Sequence, residues 1–452
     1  MSAVLSGRST DDDPAFPSAV TYDAATSNRR LQRARALVRR ATGKDLYPEP
    51  EQLRTFAEDM FRTDPVAERF VDEVYGTLGP EAARALLDKA LTDGLDSIEN
   101  PPPALVELFE EFETVPDWVD PELIAEGEEI WRRWGTGLFS VAGGITLEMY
   151  TEAAVAKPLS LAGGYAGDNA LRRFLETSRF WIDVSQPGAL LTPGSAGRAT
   201  AMRVRVMHVW VRRTVAKHPE WDVERWGEPI SQSYQLLTLL GGSVVPASAL
   251  WLTGVQTTPR EIRVLLHYQR YLGHLLGVRT QWFPETIADS LRLLAFVNTT
   301  RSYDAGAEGA ELIESFPAAF AGANAKGLER IRGKYNAMMY AAYSTIYMMP
   351  TTRFRYDMPN PVPGLALILL RLPAVTLIET LRRVSPTFRR LHEKVMCHHR
   401  ENWHRWQSSG RPAEFAHGKG GCDADVHAVS SSAGPEDATV LPAEPARLAL
   451  SK

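Results

Sequence analysis

His208 lies in the segment Ala201-Met202-Arg203-Val204-Arg205-Val206-Met207-His208-Val209-Trp210-Val211-Arg212-Arg213, whose apolar positions recur at helical spacing. A helix there puts Ala201, Val204, His208, Val211 and Val215 on one apolar stripe. Arg205, three residues before the histidine, and Arg212, four after, neighbour the imidazole on the same side. Burial and two adjacent cations both disfavour imidazolium, so the spacing predicts a neutral ring, the form that ligates a metal. The arginines have no acid close by in sequence. A haem would offer its iron to the imidazole and its two propionates to the guanidinium groups, satisfying all three residues with one cofactor. A second account stays open on these residues alone: a core histidine bonded to a backbone carbonyl, with the arginines reaching acids from elsewhere in the fold.

Other chemistries lack their residues. No phosphate-cradling loop ends in Gly-Lys-Ser/Thr, and no Gly-x-Gly-x-x-Gly joins a strand to a helix. Gly194-Ser195-Ala196-Gly197 misses the residue that a nucleophile elbow needs between its first glycine and the serine. A di-iron site in a helix bundle needs two Glu-x-x-His pairs on facing helices. Glu401-Asn402-Trp403-His404 is one such pair, but Glu414-Phe415-Ala416-His417 falls in a Gly- and Ser-rich tail. His392, Cys397, His398, His399 and His404 crowd the last helix without a clean three-and-four repeat, which predicts a solvated helix rather than a soft-metal site.

The elements that must position His208 are helical. Almost every segment between the ends of the chain reads at period 3.6, and few alternate at period 2, so the fold class expected is all-α. The pattern predicts helices over Glu51 to Tyr75, Pro80 to Asp93, Pro121 to Trp134, Phe139 to Ala156, Asp168 to Val184, Gly197 to Lys217 and Ile230 to Leu240. It continues with Pro259 to Leu276, Pro284 to Asn298, Gly327 to Met348 and Ser385 to Trp406, with a Pro-rich break at Asn100 to Pro103. Residues 1–27 and 407–452, rich in Ser, Asp, Gly and Pro, are expected to be poorly structured. No flexible linker divides residues 28–406, which argues for one large helical domain.

Composition narrows the partners. With 23% charged and 44% hydrophobic residues the chain is that of a soluble globular protein, and a net charge of −5 offers no field for nucleic acid. Only Cys397 and Cys422 are present and no secretory leader is visible, so a cytoplasmic location is expected. The aliphatic run Leu365 to Leu370 is cut by Arg371 and Pro373, short of the ~20 residues of a membrane span. Leu365 to Leu381, followed by Arg382-Arg383, is read first as a core segment and second as contact with a membrane surface or an apolar substrate.

Several stretches taken in order resemble a known family. They are Phe180-Trp181-Ile182-Asp183-Val184, Pro187-Gly188, Pro193-Gly194, Gly197 and Arg203 through Arg212, then Trp226-Gly227-Glu228-Pro229-Ile230-Ser231 and His267 through Val278. This succession resembles the haem-binding core of the rubber-oxygenase (latex-clearing protein) and mpaB family, over roughly residues 150–284. The resemblance implies a helical, globin-like core binding haem b, with His208 as the axial iron ligand and Arg203, Arg205 and Arg212 around the cofactor. It also implies distal roles for Arg173 and Thr177, which resemble a family pair four residues apart. Where the family has an intervening lysine that can cap the iron, this chain has Glu176, which suits a base or hydrogen-bonding role instead. Glu148 and Glu152 are further candidates for a base. The activity implied is cleavage by dioxygen of a C=C bond in an isoprenoid, with a small apolar molecule expected as substrate. A peroxide-dependent haem enzyme and a helical lipid-binding protein without catalysis are the competing accounts.

Overall fold

The computed structural model describes residues 14–162, 168–321 and 326–408, and among the described residues there is no β-strand. Cys422, the pair Glu414 and His417, and all of the tail expected over residues 407–452 except its first two residues lie outside the described residues.

The helices that frame the interior are α1 (Pro65–Phe70), α2 (Pro103–Glu113), α3 (Pro121–Trp134), α4 (Gly137–Met149), α5 (Ala153–Leu161), α6 (Asp168–Val184) and α7 (Ala196–Ala216). They continue with α8 (Gln232–Leu240), α9 (Pro259–Leu275), α10 (Gly306–Ala319), α11 (Gly327–Tyr347), α12 (Val362–Val384) and α13 (Pro386–Gln407). One apolar cluster runs through them from Tyr47 to Met358.

At the centre lies α7, packed against α1, α5, α6 and α9. Its start is set by Ser195, whose hydroxyl accepts from the Arg198 amide and donates to the Ala189 carbonyl, satisfying part of the unpaired helix terminus. Gly197 lets that first turn close on the preceding loop, since a Cβ there would stand 2.7 Å from the Ala189 side chain and 2.9 Å from two carbonyl oxygens. The end of α6 is tied just as firmly: Tyr268 donates to the Val184 carbonyl, Arg132 to the Ser185 carbonyl, and Arg400 to the Ser185 hydroxyl.

Arg198, Arg205 and Arg212 recur every seven residues on α7 and are all buried. Seven residues are nearly two turns, so the three form one polar row beside the stripe that carries His208. Each reaches an acid from another part of the chain. Arg198 pairs with Glu113 and donates to the carbonyls of Leu190 and Phe112. Arg205 forks onto Asp64 at 2.6 and 2.9 Å and also pairs with Glu111. Arg212 pairs with Glu68 and donates to the carbonyls of Pro229 and Ile230. Asp64 also accepts from the Ala67 amide at the start of α1, so one carboxylate both caps α1 and fastens it to α7. Gly277 stands over this pair at φ +73°, where a Cβ would fall 2.0 Å from an Asp64 oxygen.

Several expectations need correcting. The single helix over Glu51 to Tyr75 is interrupted, because Asp64 and Pro65 are an N-cap and first-turn proline that start a new helix, which then passes into a π-turn at Val71–Tyr75. Phe139 to Ala156 divides into α4 and α5. Residues 14–27 are ordered: Tyr22–Ser27 is helical, and Phe16 and Tyr22 pack on Phe296. The last helix is not simply solvated, since Arg400 and His404 are buried and His404 bonds the Leu175 carbonyl. The segment Leu365 to Leu381 is not core. Helix α12 runs unbroken through Arg371 and Pro373 for 23 residues, long and apolar enough to cross a membrane by length and composition, and only 17% of its apolar window is buried.

The α7 clamp makes a stability prediction. Replacing Arg205 by Leu leaves Asp64 buried without its cation, and urea unfolding should show a loss of about 3–5 kcal/mol. An unchanged midpoint would mean that the Arg205–Asp64 pair does not fasten α7.

Candidate functional site

Beside the arginine row, α7 turns Val204, Met207, His208 and Val211 toward a cavity of about 420 Å³. The facing residues come from α4, α5, α6 and α8 and are mostly apolar and aromatic, among them Phe139, Phe174, Phe180, Trp181 and Tyr234. Trp181 is held in place by Trp131, with ring centroids 4.5 Å apart. Water gains few partners on such walls, so the polar groups that do line the cavity are conspicuous, among them Thr146, Arg173, Glu176, Thr177, Ser178, His208, Gln235 and Thr238.

His208 is neutral. Burial pushes its pKa down to about 4, the Arg212 charge adds to the effect, and the neighbouring Gln235 side chain and the charge of Asp64 oppose it. Its Nδ1 is buried and has no hydrogen-bond partner. A half-buried, neutral imidazole with an unpaired nitrogen beside a cavity has the chemistry of a metal ligand, and a neighbouring polar side chain such as Gln235 is the usual means of orienting one. The alternative of a core histidine satisfied by a backbone carbonyl does not describe this ring.

The α6 wall is organised by Glu176. The two carboxylate oxygens accept separately, one from Arg172 at 2.7 Å and the other from Arg173 at 3.1 Å. Burial raises its pKa, against the pull of Arg173 and Arg172. Thr177 bonds back to the Arg173 carbonyl and remains exposed where it meets the cavity. The structure therefore brings Arg173, Glu176, Thr177 and His208 to one cavity.

It does not bring Arg203, Arg205 or Arg212 there. Arg205 and Arg212 are consumed by Asp64, Glu111 and Glu68, and Arg203 pairs with Asp88 at 2.8 Å. Expected around a cofactor, in this structure they instead meet acids far away in sequence that fold back onto α7. Glu148 and Glu152 likewise fall outside. Glu148 accepts from the Met349 amide, Thr352 and Arg301, and Glu152 pairs with Arg301 at 3.0 Å. Of the three candidate bases, Glu176 alone borders the cavity.

Two residues emerged only from the fold. Gln235 belongs to α8, whose start is fixed by the Ser231 cap, and nothing in its spacing links it to His208. Glu128 explains Pro187-Gly188: its carboxylate accepts from the amides of Gly188 and Leu190, and burial raises its pKa to about 7.

The fold and sequence have relatives. The rubber oxygenase of Streptomyces sp. (strain K30) is 27% identical over 206 residues, which are 44% of this chain and 47% of that protein, so the chain matches about half of the relative's length. A solved structure of latex clearing protein LCP in the closed state superposes with a TM-score of 0.53 at 19% identity, over 75% of this chain and 90% of that one, and shows the same all-helical fold. The family described as ER-bound oxygenase mpaB/B'/Rubber oxygenase, catalytic domain, matches residues 130–375, which include the α4–α8 walls of the cavity and His208. The chain belongs to the mpaB and rubber-oxygenase family.

Proposed function

We propose that this protein is a haem b-dependent oxygenase that uses dioxygen to cleave a C=C bond in an apolar, isoprenoid-like substrate. The observation that carries the proposal is His208, a neutral imidazole with an unpaired buried nitrogen on the apolar wall of a family cavity. The rubber oxygenase relative supports the reaction class.

The residues present fit a haem: His208 would hold the iron and the neighbouring Gln235 side chain would orient the imidazole, while Arg173 at the cavity is already paired with Glu176. When bound, the haem supplies the activation of dioxygen, which side chains cannot provide. The protein's own contribution is the surrounding space. Phe139, Phe174, Phe180 and Trp181 exclude water and favour an apolar chain by burying it. Glu176 replaces the amine that caps the iron in family members, so its place is to accept a hydrogen bond or a proton from the substrate at a carboxylate oxygen. Arg172 and Arg173 fix that carboxylate in position and keep its charged form accessible despite burial.

Two experiments test this. Wild-type protein produced with haem available should show a Soret band, and His208→Ala should lose it or shift it strongly. A colourless wild type that cannot take up added haemin would overturn the proposal. With an isoprenoid substrate under dioxygen, Glu176→Gln should retain the haem spectrum and lower turnover about 10²-fold or more, as expected for a proton acceptor. Unchanged turnover would remove Glu176 from the reaction, and cleavage that needs added peroxide would contradict the dioxygen chemistry.

A further inference from the structure

Helix α12 is the apolar surface that the site does not use. One side is fastened to the protein: Ile368 is buried against α11, and Glu379, paired with Arg382, accepts from the Gln256 amide while Arg382 donates to the Gln256 carbonyl. The other side is bare. Val362, Leu369, Leu370, Leu377, Leu381 and Val384 are 39–76% exposed and, at spacings of seven, one, seven, four and three residues, fall on one face of the helix, forming a stripe along about 34 Å. On the helices packed against α12, Leu391 and Val395 of α13 and Leu328, Ile331 and Tyr335 of α11 are also exposed, and the Tyr335 hydroxyl accepts from Arg371.

The charges along α12 and the start of α13 are mainly positive, with Arg389 4.0 Å from Glu129 and one exposed carboxylate, Glu329, beside the α11 residues. From Val362 to Val395 the exposed charged side chains are Arg371, Arg383, Arg389, Arg390 and Lys394. The two carboxylates in that span, Glu379 and Glu393, are paired with Arg382 and Arg132. A bare apolar stripe edged by cations is complementary to the headgroup region of an anionic bilayer, which takes the leucines into its acyl boundary and attracts the cations. A second copy of the chain placed on the same face by a two-fold axis would set these cations against each other. Crossing the bilayer is opposed by the fastened side, because the Glu379–Arg382 pair and its bonds to Gln256 hold the helix along the protein body.

We propose that α12 docks the protein on the surface of an anionic lipid bilayer, lying in the plane of the headgroups. The full-length chain should co-sediment with vesicles of phosphatidylglycerol and phosphatidylcholine, far less with phosphatidylcholine alone, and less as salt is raised. The double variant Leu369→Asp, Leu377→Asp should reduce partitioning at least tenfold, and because both side chains are exposed its thermal unfolding should match wild type. Arg389→Ala with Arg390→Ala should weaken binding to the anionic vesicles only. Wild type remaining in the supernatant, or a double variant that binds as well as wild type, would overturn the proposal. So would a wild-type dimer in light scattering that the double variant dissolves while neither protein binds vesicles. Haem absorbance read on the same samples keeps the two proposals apart, since its absence bears on His208 and not on α12.

Discussion

Three guanidinium groups must be buried for α7 to lie where it does, and a buried cation is tolerated only beside an acid. Arg198, Arg205 and Arg212 find theirs in Glu113, Asp64 with Glu111, and Glu68, on the opening part of the chain through α2. The family match begins only at residue 130. The chain before that point is therefore no passive extension: its carboxylates fix the height and rotation of the helix that presents His208. The same clamp tunes the ring, because Arg212 adds its charge to the burial that keeps His208 neutral. Stability and the charge state of the ring thus depend on one row of ion pairs.

That row also divides the labour on α7. The polar row faces the acids, and the adjacent stripe faces the cavity, where an imidazole can remain unprotonated and unpaired. On the α6 wall a carboxylate, Glu176, is held in place by Arg172 and Arg173.

Much of this was legible in the sequence. The bounds of α6 and the near-exact bounds of α7 and α9 follow from strong 3.6-residue patterns, helped by the Ser195 cap of α7 and by the Thr258 cap and first-turn proline of α9. The stripe bearing His208 was readable for the same reason, and so was its neutrality. The partners of the arginines were not, since Asp64 and Glu68 lie more than a hundred residues away in sequence and no local pattern announces that they fold back. The break at Asp64-Pro65 carried a cap and a first-turn proline that the apolar periodicity on either side masked. Helix α12 shows the reverse problem: aliphatic density resembles core, and only tertiary packing reveals which side is covered.

The most direct test of the account is an NMR titration of histidine-labelled, haem-free protein, with His208 assigned from His208→Ala. Because folding holds its pKa below the ordinary value, the ring should stay neutral as pH falls through 6.5 and protonate only near 4. Its signal should then be broadened or shifted away by one equivalent of haemin at neutral pH. A ring that titrates near 6.5 and is indifferent to haemin would contradict both the neutral imidazole and its role as iron ligand.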